Sequence, residues 1–185
     1  MEDDGSGTGP PLTLSLHQVV STLSGPIREE HAWAVLYQGI TKLHEVSTVS
    51  TCYLLGGLGD LLLTGDGRVH QDSFLKITSR GAQRPPMNKF STGIAELGVV
   101  VFGALDWGIP AGKSQMLSEE LEALIDLMVS ADDQDQEDEG ISIGEEEMFS
   151  SLCRKITQSC RRHRSPVSPF FLVTNSSFFL SYFLI

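Results

Sequence analysis

The sequence lacks the clustered residues on which disulfide frameworks and metal sites depend. It has three cysteines, Cys52, Cys153 and Cys160, and none of them stands in CxxC spacing with another. An odd and widely spaced set of this kind indicates neither a disulfide framework nor a zinc site. The five histidines show no HExxH spacing and no neighbouring cysteine pair. We therefore expect no metal, no cofactor and a reducing compartment such as the cytoplasm.

Positive charge is scarce as well. The chain has 13 Lys and Arg against 24 Asp and Glu, which gives a formal net charge of −11. Nucleic-acid binding needs clustered cations that neutralise phosphates, so we expect no nucleic-acid partner. The natural complement is a basic protein segment. The N-terminus has no positive segment followed by an apolar run, so we expect no secretory signal.

Catalytic signatures are also missing from the sequence. There is no GxSxG motif, which would indicate a nucleophilic serine. The glycines at 5, 7 and 9 are followed by two prolines and preceded by no strand, which does not fit a phosphate-binding loop. We expect no enzyme activity and no catalytic residue.

Composition divides the chain into four parts. Residues 1–11 are acidic and rich in glycine, which predicts a disordered lead. Residues 12–130 form the body of a domain. Residues 131–147 carry nine acids and no bases, which predicts a solvated acidic linker. Residues 148–185 form a tail that is first basic and then apolar.

Helical periodicity predicts two helices early in the body. Ser15 and Gln18 have capping-box spacing, and the apolar residues that follow lie on one helical face: Leu16, Val19, Val20 and Leu23. A Gly-Pro pair ends this helix. A second helix is predicted over 27–46 with the apolar stripe Trp33, Leu36, Ile40 and Leu43. We interpret Trp33 as a core residue.

The middle of the body predicts a β-hairpin and a central helix. Two short apolar runs in 61–69 flank a Gly-Asp-Gly turn, the pattern of a hairpin. Residues 71–89 predict a surface loop. The stretch 91–110 predicts a buried helix, capped by Ser91 or Thr92, with the apolar stripe Ile94, Leu97, Val101 and Leu105.

The last body helix has two distinct faces. Ser118 is its predicted N-cap, and its core face is Leu121, Leu124, Ile125 and Met128. On the other face Glu119, Glu122 and Asp126 follow at i, i+3 and i+7 without an intervening base. Such a stripe fits an ordinary solvated face or a docking site for a cationic peptide.

The tail leaves several interpretations open. Met148, Leu152 and Ile156 have the spacing of one further helix. Residues 170–185 are shorter than the roughly 20 apolar residues that span a bilayer, so they do not predict a transmembrane helix. We favour a truncated or alternatively spliced end, and a basic cluster followed by an apolar segment also fits a weak membrane anchor.

Two segments resemble the large lobe of protein kinases. LLLTGDGRVHQDSF, residues 61–74, is similar to the kinase hairpin that follows the catalytic loop. ELGVVVFGALDWG, residues 96–108, is similar to a long kinase helix. The catalytic His-Arg-Asp is missing, and Asp72-Ser73-Phe74 stands in place of the metal-binding Asp-Phe-Gly. The resemblance is therefore to the kinase fold and not to its catalytic residues.

Four motifs together resemble the KIND domain of Spire-type actin nucleators. They are PIREEHAWAVLYQ at 26–38, GDLLLTGDGRV at 59–69, ALDWG at 104–108, and LSEELEALIDLM followed by an acidic run. The resemblance implies a mainly α, kinase C-lobe-like fold with a small β-hairpin. No actin-binding WH2 repeat is in the sequence, so contact with actin is expected to be indirect.

The resemblance also implies a function. Domains of this family bind the basic C-terminal segment of a formin in an acidic groove, in actin filament assembly and vesicle transport. The groove residues implied here are Phe102, Asp106, Trp107, Glu119, Glu122 and Asp126, although Trp107 fits a core role equally well. A nucleotide-binding pseudokinase and a dominant-negative isoform are the alternatives. The expected location is the cytoplasm and cytoskeleton, with the family also found on vesicle membranes.

Overall fold

Helices form most of the described chain. The computed structural model describes residues 13–47, 53–65, 67–76, 90–113, 115–132 and 145–163. Within these ranges the elements are β1 Thr13–Ser15, α1 Leu16–Leu23, α2 Glu29–Ser47, β2 Tyr53–Leu54, β3 Leu62–Thr64, β4 Leu75–Lys76, α3 Phe90–Leu105, α4 Glu119–Val129 and α5 Glu145–His163. The expected mainly helical fold is confirmed. The predicted lead and the Phe-rich end of the tail lie outside the described residues.

The capping box predicted at the first helix is present. The Ser15 hydroxyl accepts a hydrogen bond from the Gln18 N–H at 3.2 Å, and the Gln18 side chain accepts one from the Ser15 N–H at 2.8 Å. The helix ends at Leu23 because Ser24 turns into the left-handed region, with φ of 53°. Leu23 is consequently 49% exposed, so its predicted place on the buried face is wrong.

Two small antiparallel sheets accompany the helices. β1 pairs with β3, with Leu14 opposite Leu63, and β2 pairs with β4. The predicted hairpin is confirmed by the bridge between Leu63 and Val69 and by a positive φ of 77° at Gly67. The first part of the predicted surface loop forms a 3-10 turn, Gln71–Ser73, and β4, and its remainder lies outside the described residues.

The central helices α2 and α3 pack closely because α2 has a glycine where they meet. The predicted stripes of α2 and α3 are both buried, and Trp33 is only 3% exposed. A Cβ atom at Gly39 of α2 would lie 2.7 Å from a methyl carbon of Leu97 on α3, so the glycine permits this close approach. α3 begins at Phe90, which places Ser91 and Thr92 inside the helix, and their predicted capping role is wrong.

α5 contributes a full face to the same core. It packs mainly against α2, and also against α3. Its buried residues are Phe149, Cys153, Ile156 and Cys160. The helix begins inside the stretch interpreted as an acidic linker and runs on to His163 in the tail. Of the three residues that predicted it, Ile156 is buried, Leu152 is partly buried and Met148 is 47% exposed.

Candidate functional site

The end of α3 and the start of α4 are held by the same short segment of the chain. The Ile27 N–H donates a hydrogen bond of 3.0 Å to the Ala104 carbonyl, at the end of α3. The Ser118 N–H donates one of 3.1 Å to the Glu29 carboxylate, at the start of α4. Since Ile27 and Glu29 are two residues apart, the end of α3 and the start of α4 lie close together.

α4 lies against a glycine on α3. A Cβ atom at Gly98 would stand 3.0 Å from the Cβ of Met128 and 3.5 Å from a methyl of Val129. Four residues after Gly98, Phe102 lies on the same side of α3 and is 49% exposed. The exposed edge of α3 beside α4 is therefore apolar.

The carboxylates of α4 lie along the neighbouring edge. Val129 touches the α3 glycine, and Asp126 and Glu122 precede it by three and seven residues, on the same side of the helix. Both acids are exposed, as is Glu119 one further turn back. We call this region the α3–α4 surface: Val99, Phe102, Glu119, Glu122, Asp126 and Val129. The predicted stripe and the predicted Phe102 therefore border one surface.

The charge of this surface is not neutralised within the described ranges. No Lys, Arg or His described by the structure lies within salt-bridge distance of Glu119, Glu122 or Asp126. Ser118 is the N-cap, as predicted, and its hydroxyl accepts from the Leu121 N–H at 3.3 Å. The arrangement suits a cationic ligand, because exposed carboxylates gain from a complementary charge.

Asp106 and Trp107 follow the end of α3 and have different surroundings. Asp106 is exposed, and its N–H donates to the Phe102 carbonyl at 2.9 Å. Trp107 is half-buried against the core, and its ring meets the His17 ring of α1 edge-on at 5.0 Å. The structure thus places Asp106 at the end that α3 shares with the start of α4, and turns Trp107 toward α1.

Glu29 holds the start of α4 in place, a role that the sequence pattern did not indicate. Its carboxylate accepts hydrogen bonds from the Ser118 N–H, the Ser118 hydroxyl and, at 3.1 Å, the Trp33 indole N–H. Burial alone raises its pKa, but the bonds from Ser118 and Trp33 outweigh burial, so the pKa lies below 4.5. Glu29 and Ser118 are 89 residues apart, so no local signal could have revealed the contact.

Glu29→Gln is expected to remove a pH-dependent part of the stability. A carboxyl with a lowered folded pKa stabilises the protein above its unfolded pKa, and this contribution is lost as the pH falls through the folded value. The melting temperature of Glu29→Gln should fall below that of the parent at pH 7, and the gap should narrow below about pH 4.5. Glu30→Gln, at an exposed neighbour, is the control and should show little change at either pH. A gap that stays constant with pH would contradict this role.

The kinase-like Asp72-Ser73-Phe74 segment has a structural role. The buried Ser73 hydroxyl accepts from the Leu62 N–H at 2.9 Å and donates to the Leu62 carbonyl at 3.2 Å. Phe74 is 3% exposed and belongs to the core. Asp72 is exposed on the 3-10 turn. This segment therefore fixes the hairpin strand to the turn that follows it.

The described cysteines are packing residues. Burial raises the pKa of Cys153 and Cys160 to about 12, so both thiols stay protonated at neutral pH. Cys52 lies outside the described residues. In the part of the chain that the structure describes, no three His, Cys, Asp or Glu side chains are grouped to hold a metal ion. None of the described helices combines the length and apolar character needed to cross a membrane.

Comparisons with known proteins agree on one family. The profile of the kinase non-catalytic C-lobe domain (KIND) matches residues 14–165. Protein spire homolog 2 of Homo sapiens is 36% identical over 147 residues, which cover 77% of this chain and 20% of that protein. Protein spire homolog 1 of Danio rerio is 34% identical over 141 residues, which cover 72% of this chain and 18% of that protein.

The match extends beyond the motifs that suggested it. It reaches residue 165, so it includes all of α5, whereas the motifs quoted from the sequence stop within the acidic stretch. The chain spans about a fifth of the length of the relatives it matches. With a mainly helical fold, small antiparallel sheets and a profile match over most of its length, the chain belongs to the kinase non-catalytic C-lobe domain (KIND) family.

Proposed function

We propose that this chain is a non-catalytic interaction domain that binds the basic C-terminal segment of a formin on its α3–α4 surface. The observation that carries the proposal is a row of exposed carboxylates, without a cationic partner among the described residues, beside exposed apolar side chains. Membership of the KIND family and similarity to Spire proteins support the choice of partner. On this proposal the domain acts in the cytoplasm, beside the cytoskeleton, in actin filament assembly and vesicle transport.

The two kinds of side chain on this surface predict two components of binding. Attraction between exposed carboxylates and a Lys/Arg-rich peptide is screened by salt, with a Debye length of about 8 Å at physiological ionic strength. Contact of apolar peptide residues with Phe102 and Val99, which are 49% and 55% exposed, depends little on salt. We therefore expect a peptide that alternates basic and apolar residues.

A charge reversal tests the proposed surface. Immobilised formin tail peptide should retain the full chain at low salt, and Glu122→Lys with Asp126→Lys should weaken retention by at least about tenfold, because two attractions become repulsions. The matched control is Asp72→Lys with Glu147→Lys. These two exposed carboxylates lie on the 3-10 turn and on α5, so the net charge changes equally without altering the α3–α4 surface.

A second variant, Phe102→Ala, tests the apolar component of peptide binding. Phe102→Ala should weaken binding by about the same factor at high and at low salt, whereas the factor for the charge reversal should shrink as salt screens the charges. The peptide Kd of both variants and of the control, measured by fluorescence anisotropy at two salt concentrations, gives the comparison. Equal weakening by the α3–α4 reversal and by the control reversal would remove this surface as the site.

A further inference from the structure

A second charged surface lies on α5. The inner side of this helix is buried, and the basic residues of its outer side are all exposed. We call them the cationic face: Arg154, Lys155, Arg161 and Arg162. Positions 154 and 161, like 155 and 162, are seven residues apart, which brings each pair onto one line along the helix. The four positive charges therefore point away from the core together.

The cationic face is not neutralised by the rest of the described chain. No Asp or Glu in the described ranges lies within salt-bridge distance of its four residues. The Arg161 guanidinium lies over the Tyr37 ring, 5.8 Å from its centroid, which leaves the charge in place. The exposed Glu147 precedes Arg154 by seven residues, about 10 Å along the helix.

The two charged surfaces lie on helices with different main neighbours. α5 packs mainly on α2, whereas α4 packs on α3. Near the end of α5, His163 stacks on Trp33 with ring centroids 4.6 Å apart. The Glu29 carboxylate near that end already accepts hydrogen bonds from Ser118 and Trp33. The cationic face therefore presents a local positive field despite the net charge of −11.

The sequence that follows α5 indicates what kind of partner fits. From residue 148 onward there are five Lys or Arg and no acid, and residues 170–185 are mostly apolar, with five phenylalanines. Cations beside an aromatic and apolar segment are typical of proteins that bind the surface of an anionic bilayer. An acidic protein partner would not need the apolar segment.

We propose that the cationic face of α5 binds the surface of an anionic phospholipid bilayer. Each basic residue close to such a surface strengthens binding about fivefold, so four of them supply several hundredfold. A single apolar segment binds only weakly and reversibly, and an added polybasic patch makes the attachment stable.

Vesicle co-sedimentation of the full chain tests the proposal. The chain should bind phosphatidylcholine vesicles that contain phosphatidylserine, should bind pure phosphatidylcholine weakly, and should be released by salt. Arg154→Gln, Lys155→Gln and Arg162→Gln together should weaken binding on the order of a hundredfold. The matched control is Arg28→Gln, Arg68→Gln and Lys113→Gln, three exposed cations outside α5.

Three results would overturn the proposal. The first is equal binding to both kinds of vesicle, which would assign the binding to the apolar segment alone. The second is no binding to either kind of vesicle. The third is full binding by the triple α5 variant. The chain could instead self-associate in a salt-sensitive way without binding lipid, and lose this association in the triple variant. That result would mean that the cationic face binds the acids of a second copy of the chain. The triple variant should keep its melting temperature and its retention on formin peptide, which separates this test from that of the α3–α4 surface.

Discussion

Replacing Ile156 by aspartate is expected to lower the free energy of unfolding by about 4 kcal/mol or more. Ile156 is 0% exposed and lies at the centre of the buried side of α5. A carboxylate there loses the apolar burial of the isoleucine and finds no polar partner in its place. Because single domains are stable by only about 5–15 kcal/mol, much of the protein should unfold in mild denaturant. Urea denaturation followed by circular dichroism measures the loss.

Gln158→Asp is the control for this prediction. Position 158 lies on the same helix but is exposed, so the same new carboxylate should change the stability by no more than about 0.5 kcal/mol. Similar losses at both positions would mean that α5 is sensitive to any added acid. Similar stability in both variants and the parent would mean that α5 does not complete the core.

Sequence patterns that span only one or two helical turns predicted the helices of the domain body well. The N-caps at Ser15 and Ser118 are present, and the apolar stripes of α2, α3 and α4 are buried as predicted. Each of these features depends on residues three or four positions apart, because that spacing brings side chains onto one face of a helix. A single sequence contains this local information.

Elements that depend on distant partners were missed. β1 is three residues long, and it forms because Leu14 lies opposite Leu63, far along the chain. β2 and β4 are shorter still, and they pair with each other. Strands of two or three residues contain too few positions for an alternating pattern, so tertiary pairing decides their structure.

The extent of α5 was underestimated for a different reason. Its buried residues, Phe149, Cys153, Ile156 and Cys160, follow at intervals of four, three and four, which is helical spacing. The two cysteines were considered as disulfide partners or zinc ligands and not as apolar side chains. Free cysteine behaves as a small hydrophobic residue, and counting it as one would have revealed the whole stripe.

The candidate site was predicted in part. The sequence placed Glu119, Glu122 and Asp126 on the exposed face of α4, and the structure agrees. It could not show that this face continues into the exposed edge of α3, because the contact depends on Gly98 lying against Met128 and Val129. Helical periodicity identifies the outer face of each helix, but only packing determines which outer faces adjoin.

Trp33 connects three helices through one side chain. Its indole N–H donates to Glu29, which in turn accepts from Ser118 at the start of α4. Its ring stacks on His163 at the end of α5, with 17° between the planes. It also fills the core, since only 3% of it is exposed. Its removal should therefore affect packing and the position of α4 together.

Trp33→Ala is accordingly expected to lower the free energy of unfolding by about 3–5 kcal/mol, because the cavity left in the core adds to the lost apolar burial. Trp33→Phe keeps an aromatic ring but has no N–H donor, so its loss of unfolding free energy should be smaller than that of Trp33→Ala. About 1–3 kcal/mol of that loss should come from the missing hydrogen bond to the charged Glu29. Trp107→Ala is the comparison, since that residue is half-buried and should lose less. Denaturant titration of the three variants gives the order, and a Trp107→Ala loss equal to that of Trp33→Ala would contradict the central place assigned to Trp33.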